Sequence, residues 1–106
     1  KNQVEKAKHI KEHLTDDLEK NVTLQELAQE HEIGLTTLKK CFKGIYGKSI
    51  SVWRREYRIY KAASMLKETD MTIAEISGKM GYDNPSKFAS VFKKVIGCSP
   101  SEYRKK

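Results

Sequence analysis

The residues with the most recognisable chemical spacing are His9-Ile10-Lys11-Glu12-His13, which match the H-x-x-E-H pattern of inverted zinc peptidases. Two histidines at i and i+4 share one helix face, the geometry a metal ion needs. A peptidase also needs a third ligand and a substrate cleft, and a chain of 106 residues has little room for either once its other patterns are assigned. Surface histidines flanking a buried Ile10 and Leu14 are the simpler reading. A Cys41–Cys98 redox pair is similarly weak chemistry, because Cys41 falls on an apolar face between Leu38 and Phe42 and reads as core. Two cysteines cannot build a disulfide framework, which favours a reducing cytoplasm. No catalytic residue, metal or cofactor is expected, and so no enzyme.

The other available chemistry is that of cations. The chain carries 21 Lys plus Arg against 14 Asp plus Glu, a net charge of +7. The charge is unevenly spread. Residues 1–34 hold 5 basic and 8 acidic groups, whereas residues 35–106 hold 16 basic and 6 acidic, a net +10. Such an imbalance points to a polyanionic partner, nucleic acid before anionic membrane. No stretch approaches the roughly 18 apolar residues of a membrane span, so no membrane partner is expected. The sequence begins at Lys1 rather than Met and is expected to be a segment of a longer protein.

These cations need elements to hold them, and the apolar spacing supplies helices. Val4, Ala7, Ile10, Leu14 and Leu18 recur at steps of three and four. Thr23-Leu24-Gln25-Glu26 is a capping box that opens a second helix, with Leu24, Leu27 and Ala28 as its buried stripe. After a tight turn near Ile33-Gly34, a third helix turns Leu35, Leu38, Cys41, Phe42 and Ile45 inward and stops at Gly47. Ile50, Trp53, Tyr57, Ala62, Met65 and Leu66 mark a helix of about 18 residues without an internal Gly or Pro. Trp53 and Tyr57 are of the type that stacks on bases, but their helical register with Ile50 and Ala62 assigns them to the core. A second capping box, Thr72-Ile73-Ala74-Glu75, follows. No period-two pattern of β-branched residues appears, so the fold class is all-α.

An internal repeat organises these helices. Val22-Thr23-Leu24-Gln25-Glu26-Leu27 matches Met71-Thr72-Ile73-Ala74-Glu75-Ile76 at an offset of 49, and Phe42-Lys43 matches Phe92-Lys93 at an offset of 50. The second copy therefore has one extra residue between its helices. The match runs on through Gly47-Lys48-Ser49-Ile50-Ser51-Val52-Trp53-Arg54 and Gly97-Cys98-Ser99-Pro100-Ser101-Glu102-Tyr103-Arg104. The expected organisation is a helix-turn-helix subdomain over 1–48, a linker helix over 49–68 and a second helix-turn-helix subdomain over 69–106.

In a helix-turn-helix the second helix enters the major groove of DNA. In the first copy its outward residues are Thr36, Thr37, Lys39, Lys40 and Lys43. In the second copy, Asn84-Pro85 starts the helix, Phe88 and Phe92 point inward, and Ser86, Lys87, Ser90, Lys93 and Lys94 point outward. Lysines with small hydroxyls suit guanine acceptors and phosphates. One such face is ordinary helix surface; two on a repeat point to duplex DNA. The competing class is a protein-interaction module whose basic helices meet an acidic partner, with no specific DNA site.

The second copy and its tail resemble the DNA-binding region of the AraC/XylS family of bacterial transcription regulators. The likeness rests on Thr72-Ile73-Ala74-Glu75-Ile76, Gly81-Tyr82, Phe88-Ala89-Ser90-Val91-Phe92-Lys93 and Gly97-Cys98-Ser99-Pro100-Ser101-Glu102-Tyr103-Arg104, and it extends over about residues 5–105. The resemblance implies about seven helices, with two helix-turn-helix units held by a linker helix and inserted in successive major grooves. It places base-contacting positions at Thr36, Lys39 and Lys40 in the first copy and at Pro85, Ser86, Lys87 and Ser90 in the second; the outward Thr37 joins the base-contact set, and Lys43, Lys93 and Lys94 are left to phosphates. Ser90 stands where many members have Arg, and Pro85 where Gln is frequent, so Lys87 is left to carry base contact in the second copy. The implied partners are double-stranded DNA, RNA polymerase, and an effector or oligomerisation domain beyond this segment. The implied role is transcription regulation in the cytoplasm.

Overall fold

A computed structural model describes residues 2–16 and 18–106. Its described residues form seven helices and no strand: α1 Asn2–Asp16, α2 Leu24–Glu30, α3 Leu35–Tyr46, α4 Ile50–Glu68, α5 Ile73–Lys79, α6 Pro85–Ile96 and α7 Pro100–Lys105. The all-α expectation holds. The chain divides into two compact units, residues 1–54 and 55–106, with the division inside α4.

In the first unit, α1 packs on α3 and buries Ala7, Ile10 and Leu14. The core continues through Leu27, Ala28, Leu38, Phe42 and Ile50. Phe42 lies 4.6 Å from Tyr46 and 5.8 Å from Trp53, between ring centroids. The Lys11 ammonium covers both of those outer rings, at 5.4 and 5.5 Å. Trp53 thus packs as a core aromatic; Tyr57 is half-buried. Three inward assignments fail. Val4 and Ile45 are exposed, and Leu18 lies beyond the end of α1. Val4 and Ile45 sit in the first turn of α1 and the last turn of α3, where the apolar period runs on past the surface a neighbouring helix covers.

The Thr23 hydroxyl accepts the Glu26 N–H at 3.1 Å, and the Glu26 carboxylate accepts the Thr23 N–H at 2.9 Å. These two backbone groups would otherwise be orphans of the first turn. The bonds also hold the Glu26 carboxyl below its ordinary pKa, the backbone N–H of Thr23 contributing most. At the other end of α2, the Ile33 N–H donates to Ala28 O at 2.9 Å and the Glu32 N–H to Gln29 O at 3.1 Å. This is a Schellman turn, which needs a left-handed residue at its centre. Glu32 takes that conformation, with φ 54°. The turn therefore centres on Glu32, one residue before the expected Ile33-Gly34, and Gly34 instead provides the extended N-cap of α3. The Lys6 ammonium donates to the Glu32 carbonyl at 2.7 Å and ties the turn to α1.

The second unit repeats this construction. Thr72 and Glu75 form the box of α5 at 3.1 and 2.8 Å. The Tyr82 N–H donates to Ser77 O and the Gly81 N–H to Gly78 O, both at 3.0 Å, and Gly81 is left-handed at φ 85°. The extra residue of this copy is Asp83, set between Tyr82 and the N-cap Asn84. Phe92 lies 5.8 Å from Phe88 and 5.7 Å from Tyr103, with Ile59, Ala62, Leu66, Ile76 and Met80 also buried. The Phe92–Tyr103 pair, at 70° between ring planes, reproduces the Phe42–Trp53 pair at 69°. A third capping box, Ser99 with Glu102, opens α7 behind a buried Pro100.

One arginine per unit ties the end of the repeat to its beginning. Arg54 donates to Val22 O at 2.6 Å and to Lys20 O at 3.4 Å. Its counterpart Arg104 donates to Leu66 O at 3.0 Å and to Thr69 O at 3.1 Å. Both guanidiniums therefore satisfy main-chain oxygens next to the short capped helix of their own unit.

The copies differ at one buried point that allows a test. Ser77 is fully buried and its hydroxyl has no hydrogen-bond partner, whereas Ala28 fills the equivalent place in the first unit. Removing an unsatisfied buried hydroxyl without changing the backbone recovers about 1 kcal/mol. Ser77→Ala should therefore raise the urea midpoint of the second unit; a lower midpoint would mean that the hydroxyl is paired in solution.

Candidate nucleic-acid interface

The two longer helices of the repeat, α3 and α6, are each 12 residues and end on left-handed glycines, Gly47 and Gly97. Each is anchored from inside by a pair of buried side chains four residues apart, Leu38 with Phe42 and Phe88 with Phe92. That anchoring fixes which residues face outward. On α3, Thr36, Lys39, Lys40 and Lys43 are exposed and follow the i, i+3, i+4, i+7 stripe of one face. Thr37 is only half-buried rather than fully outward, and its hydroxyl lies beside the Gly34 cap. On α6, Pro85, Ser86, Lys87, Ser90, Lys93 and Lys94 are all exposed.

The helix starts add to the positive field of these lysines. The three supporting helices α2, α5 and α7 each place a glutamate in the first turn, where it neutralises the positive end of the helix dipole. Neither α3 nor α6 has an acidic residue there. Gly34 also gives α3 no side-chain cap, which leaves its first N–H groups open to an anion. On α6, Asn84 Oδ1 accepts from Ser86 N at 2.8 Å and from Lys87 N at 3.4 Å, so part of that capacity is already used.

Behind the start of α6, Tyr82 lies 5.5 Å from Phe88. Arg58 of α4 is nearly buried. Burial lowers the Arg58 pKa and raises that of Tyr82, while the charge each bears on the other works against both shifts. A nearly buried cation thus lies near the turn that leads into α6, and the apolar pattern does not signal it. Periodicity does not distinguish the two clamping arginines from surface cations, although Arg54 and Arg104 recur at the same place in the repeat.

A helix-turn-helix domain family matches residues 27–106. The arabinose operon regulatory protein of Escherichia coli K12 is 36% identical over 100 residues, 94% of this chain and 33% of that protein. The chain belongs to the AraC-type helix-turn-helix family. This is a family of DNA-binding transcription regulators and not of enzymes. The transcriptional regulator ExsA of Pseudomonas aeruginosa is 36% identical over 81 residues, covering 76% of this chain and 29% of ExsA. The chain thus spans about a third of the length of these relatives. Among solved structures, the C-terminal domain of AraT, a response regulator from Geobacillus stearothermophilus, superposes with a TM-score of 0.90 at 28% identity, covering 94% of this chain and 84% of that one. The DNA-binding domain of AdpA, solved with a target DNA, shares the fold with a TM-score of 0.88 at 21% identity, covering 93% and 89% of the two chains.

The AraC-type assignment leaves the other sequence motifs without a catalytic role. Both cysteines are free thiols, and Cys41 Sγ lies 3.9 Å from Gln3 Oε1. The H-x-x-E-H pattern does not gather as a site: His13 groups with Glu30 and His31, not with His9 and Glu12. Among the described residues, no helix is long and apolar enough to cross a membrane.

Proposed function

We propose that this chain is the DNA-binding part of a cytoplasmic bacterial transcription regulator and that it recognises a specific duplex sequence. Residues 1–48 and 69–106 act as the two helix-turn-helix subdomains, with 49–68 as the linker helix. Their recognition helices, α3 and α6, enter successive major grooves of one duplex. The observation that carries this reading is the repeated pair of helices anchored by buried apolar residues, each with an exposed face of lysines and small hydroxyls and no carboxylate in its first turn.

Within that reading, Thr36, Thr37, Lys39 and Lys40 contact bases in the first groove, and Pro85, Ser86, Lys87 and Ser90 face bases in the second. Lys87 is the one long donor of the second set. Lys43, Lys93 and Lys94, farther along their helices, hold phosphates. RNA polymerase and an effector or oligomerisation domain are partners of the whole regulator rather than of these residues.

The test begins by selecting bound duplexes from a random pool, and then compares two lysines. Lys40→Ala should cost about 1–3 kcal/mol on the selected site and relax its sequence preference. Lys93→Ala should weaken selected and random duplexes alike and flatten the salt dependence by about one unit of slope. Equal effects of both changes on both kinds of duplex would overturn the division of roles. A pool that yields no enriched sequence would instead favour a protein-interaction module.

A further inference from the structure

We propose that the first unit binds a divalent transition-metal ion, with Zn²⁺ as its probe, through His13, Glu30 and His31. One donor atom from each residue lies within 4.8 Å of the other two, and His13 Nδ1 is 3.7 Å from Glu30 Oε1. Imidazole and carboxylate ligands sit about 2.0–2.2 Å from zinc, so neighbouring donors of a tetrahedral site are about 3.3–3.5 Å apart. His13 Nδ1 and Glu30 Oε1 therefore need to move by only a few tenths of an ångström. The other pairs, within 4.8 Å, need to close by at most about 1.5 Å, which rotation of the Glu30 and His13 side chains supplies.

Two further observations favour a cation at this place. His31 Nε2 is buried and has no hydrogen-bond partner, so that ring nitrogen's ligating capacity is not spent on the protein. All three residues also sit at helix C-termini: His13 in the last turn of α1, Glu30 as the last residue of α2, and His31 as its C-cap. The C-terminal ends of α1 and α2 carry the negative end of the helix dipole, which attracts a cation. The surroundings are acidic as well, with 8 acidic and 5 basic groups over residues 1–34 in an otherwise basic chain.

Two imidazoles and one carboxylate match the donor preference of Zn²⁺ and leave a fourth position to water. The ion would join the end of α1 to the end of α2, one residue before the left-handed Glu32 that aims α3. It would thereby stabilise the turn without touching the face assigned to DNA.

Calorimetric titration of the whole chain with Zn²⁺ tests this. One ion per chain is expected to bind with micromolar affinity, and the carbon-bound ring protons of His13 and His31 should shift together in NMR spectra while those of His9 stay in place. His13→Gln and Glu30→Gln should each weaken binding by about tenfold or more while leaving the helical circular dichroism unchanged. His9→Gln and Cys41→Ser should not alter it. The proposal fails if Zn²⁺ does not bind, or if His9→Gln or Cys41→Ser removes binding that His13→Gln leaves intact. Measuring DNA affinity with and without Zn²⁺ is a separate arm, so a failure of DNA recognition does not bear on the metal site.

Discussion

Raising the salt from about 50 to about 200 mM should weaken binding to duplex DNA by roughly 500-fold. Lys43, Lys93 and Lys94, the lysines assigned to phosphates, are exposed on α3 and α6 beside Lys39, Lys40 and Lys87. Each phosphate neutralised releases condensed counterions and contributes about −0.9 to the slope of log affinity against log salt. If Lys43, Lys93 and Lys94 and about two further cations of the basic residues 35–106 reach phosphates, the slope is about −4.5, and a fourfold rise in salt gives the stated loss. The glutamates at the starts of α2, α5 and α7 lie on the supporting helices, so they do not cancel this field at the helices proposed to meet DNA. A slope flatter than about −2 would mean that at most two phosphates are gripped, too few for both helices to engage.

Phe92→Ala should cost the second unit about 3–5 kcal/mol. The ring is fully buried between Phe88 and Tyr103, so truncation removes both aromatic contacts and leaves a cavity that neighbouring helices cannot readily fill. A unit of this size has only about 3–8 kcal/mol of stability to lose, which makes the substitution close to unfolding for residues 55–106. Phe92→Leu keeps most of the apolar volume and should cost markedly less. Urea unfolding followed by Tyr82 and Tyr103 resonances would measure both changes. A loss under about 1 kcal/mol for the alanine variant would show that the ring does not hold α6 in place.

What the sequence disclosed was mainly what is local. Thr23-x-x-Glu26 and Thr72-x-x-Glu75 announce capping boxes because both partners lie within one turn, and Gly47 announces a left-handed stop because few other residues accept that conformation. The outward lysines of α3 and α6 follow from the same arithmetic once Leu38, Phe42, Phe88 and Phe92 are known to face inward. Ser99-x-x-Glu102 is as legible as the other boxes, because both partners again lie within one turn. Glu32 was not legible, since turn chemistry favours glycine at a left-handed position and Gly34 stood two residues away. His13, Glu30 and His31 come from the ends of two different helices and meet only in the fold, whereas the spacing within α1 points to His9. Periodicity also gives the direction of a side chain but not the extent of its neighbour, which is why Ile45 reads as buried and is exposed.

The arginine clamps have a consequence for how the two halves of this chain can change. Arg54 and Arg104 address peptide oxygens, a group that every amino acid offers, so the clamp makes no demand on the identity of the residue that presents it. The residues that present these oxygens, Lys20 and Val22 in one half and Leu66 and Thr69 in the other, are all different, while the guanidinium that holds them is the same. A duplicated module fastened in this way tolerates drift in its connecting loops without loosening. Its two recognition helices are then free to acquire different sequences, and with them different DNA preferences, on a scaffold that remains common to both.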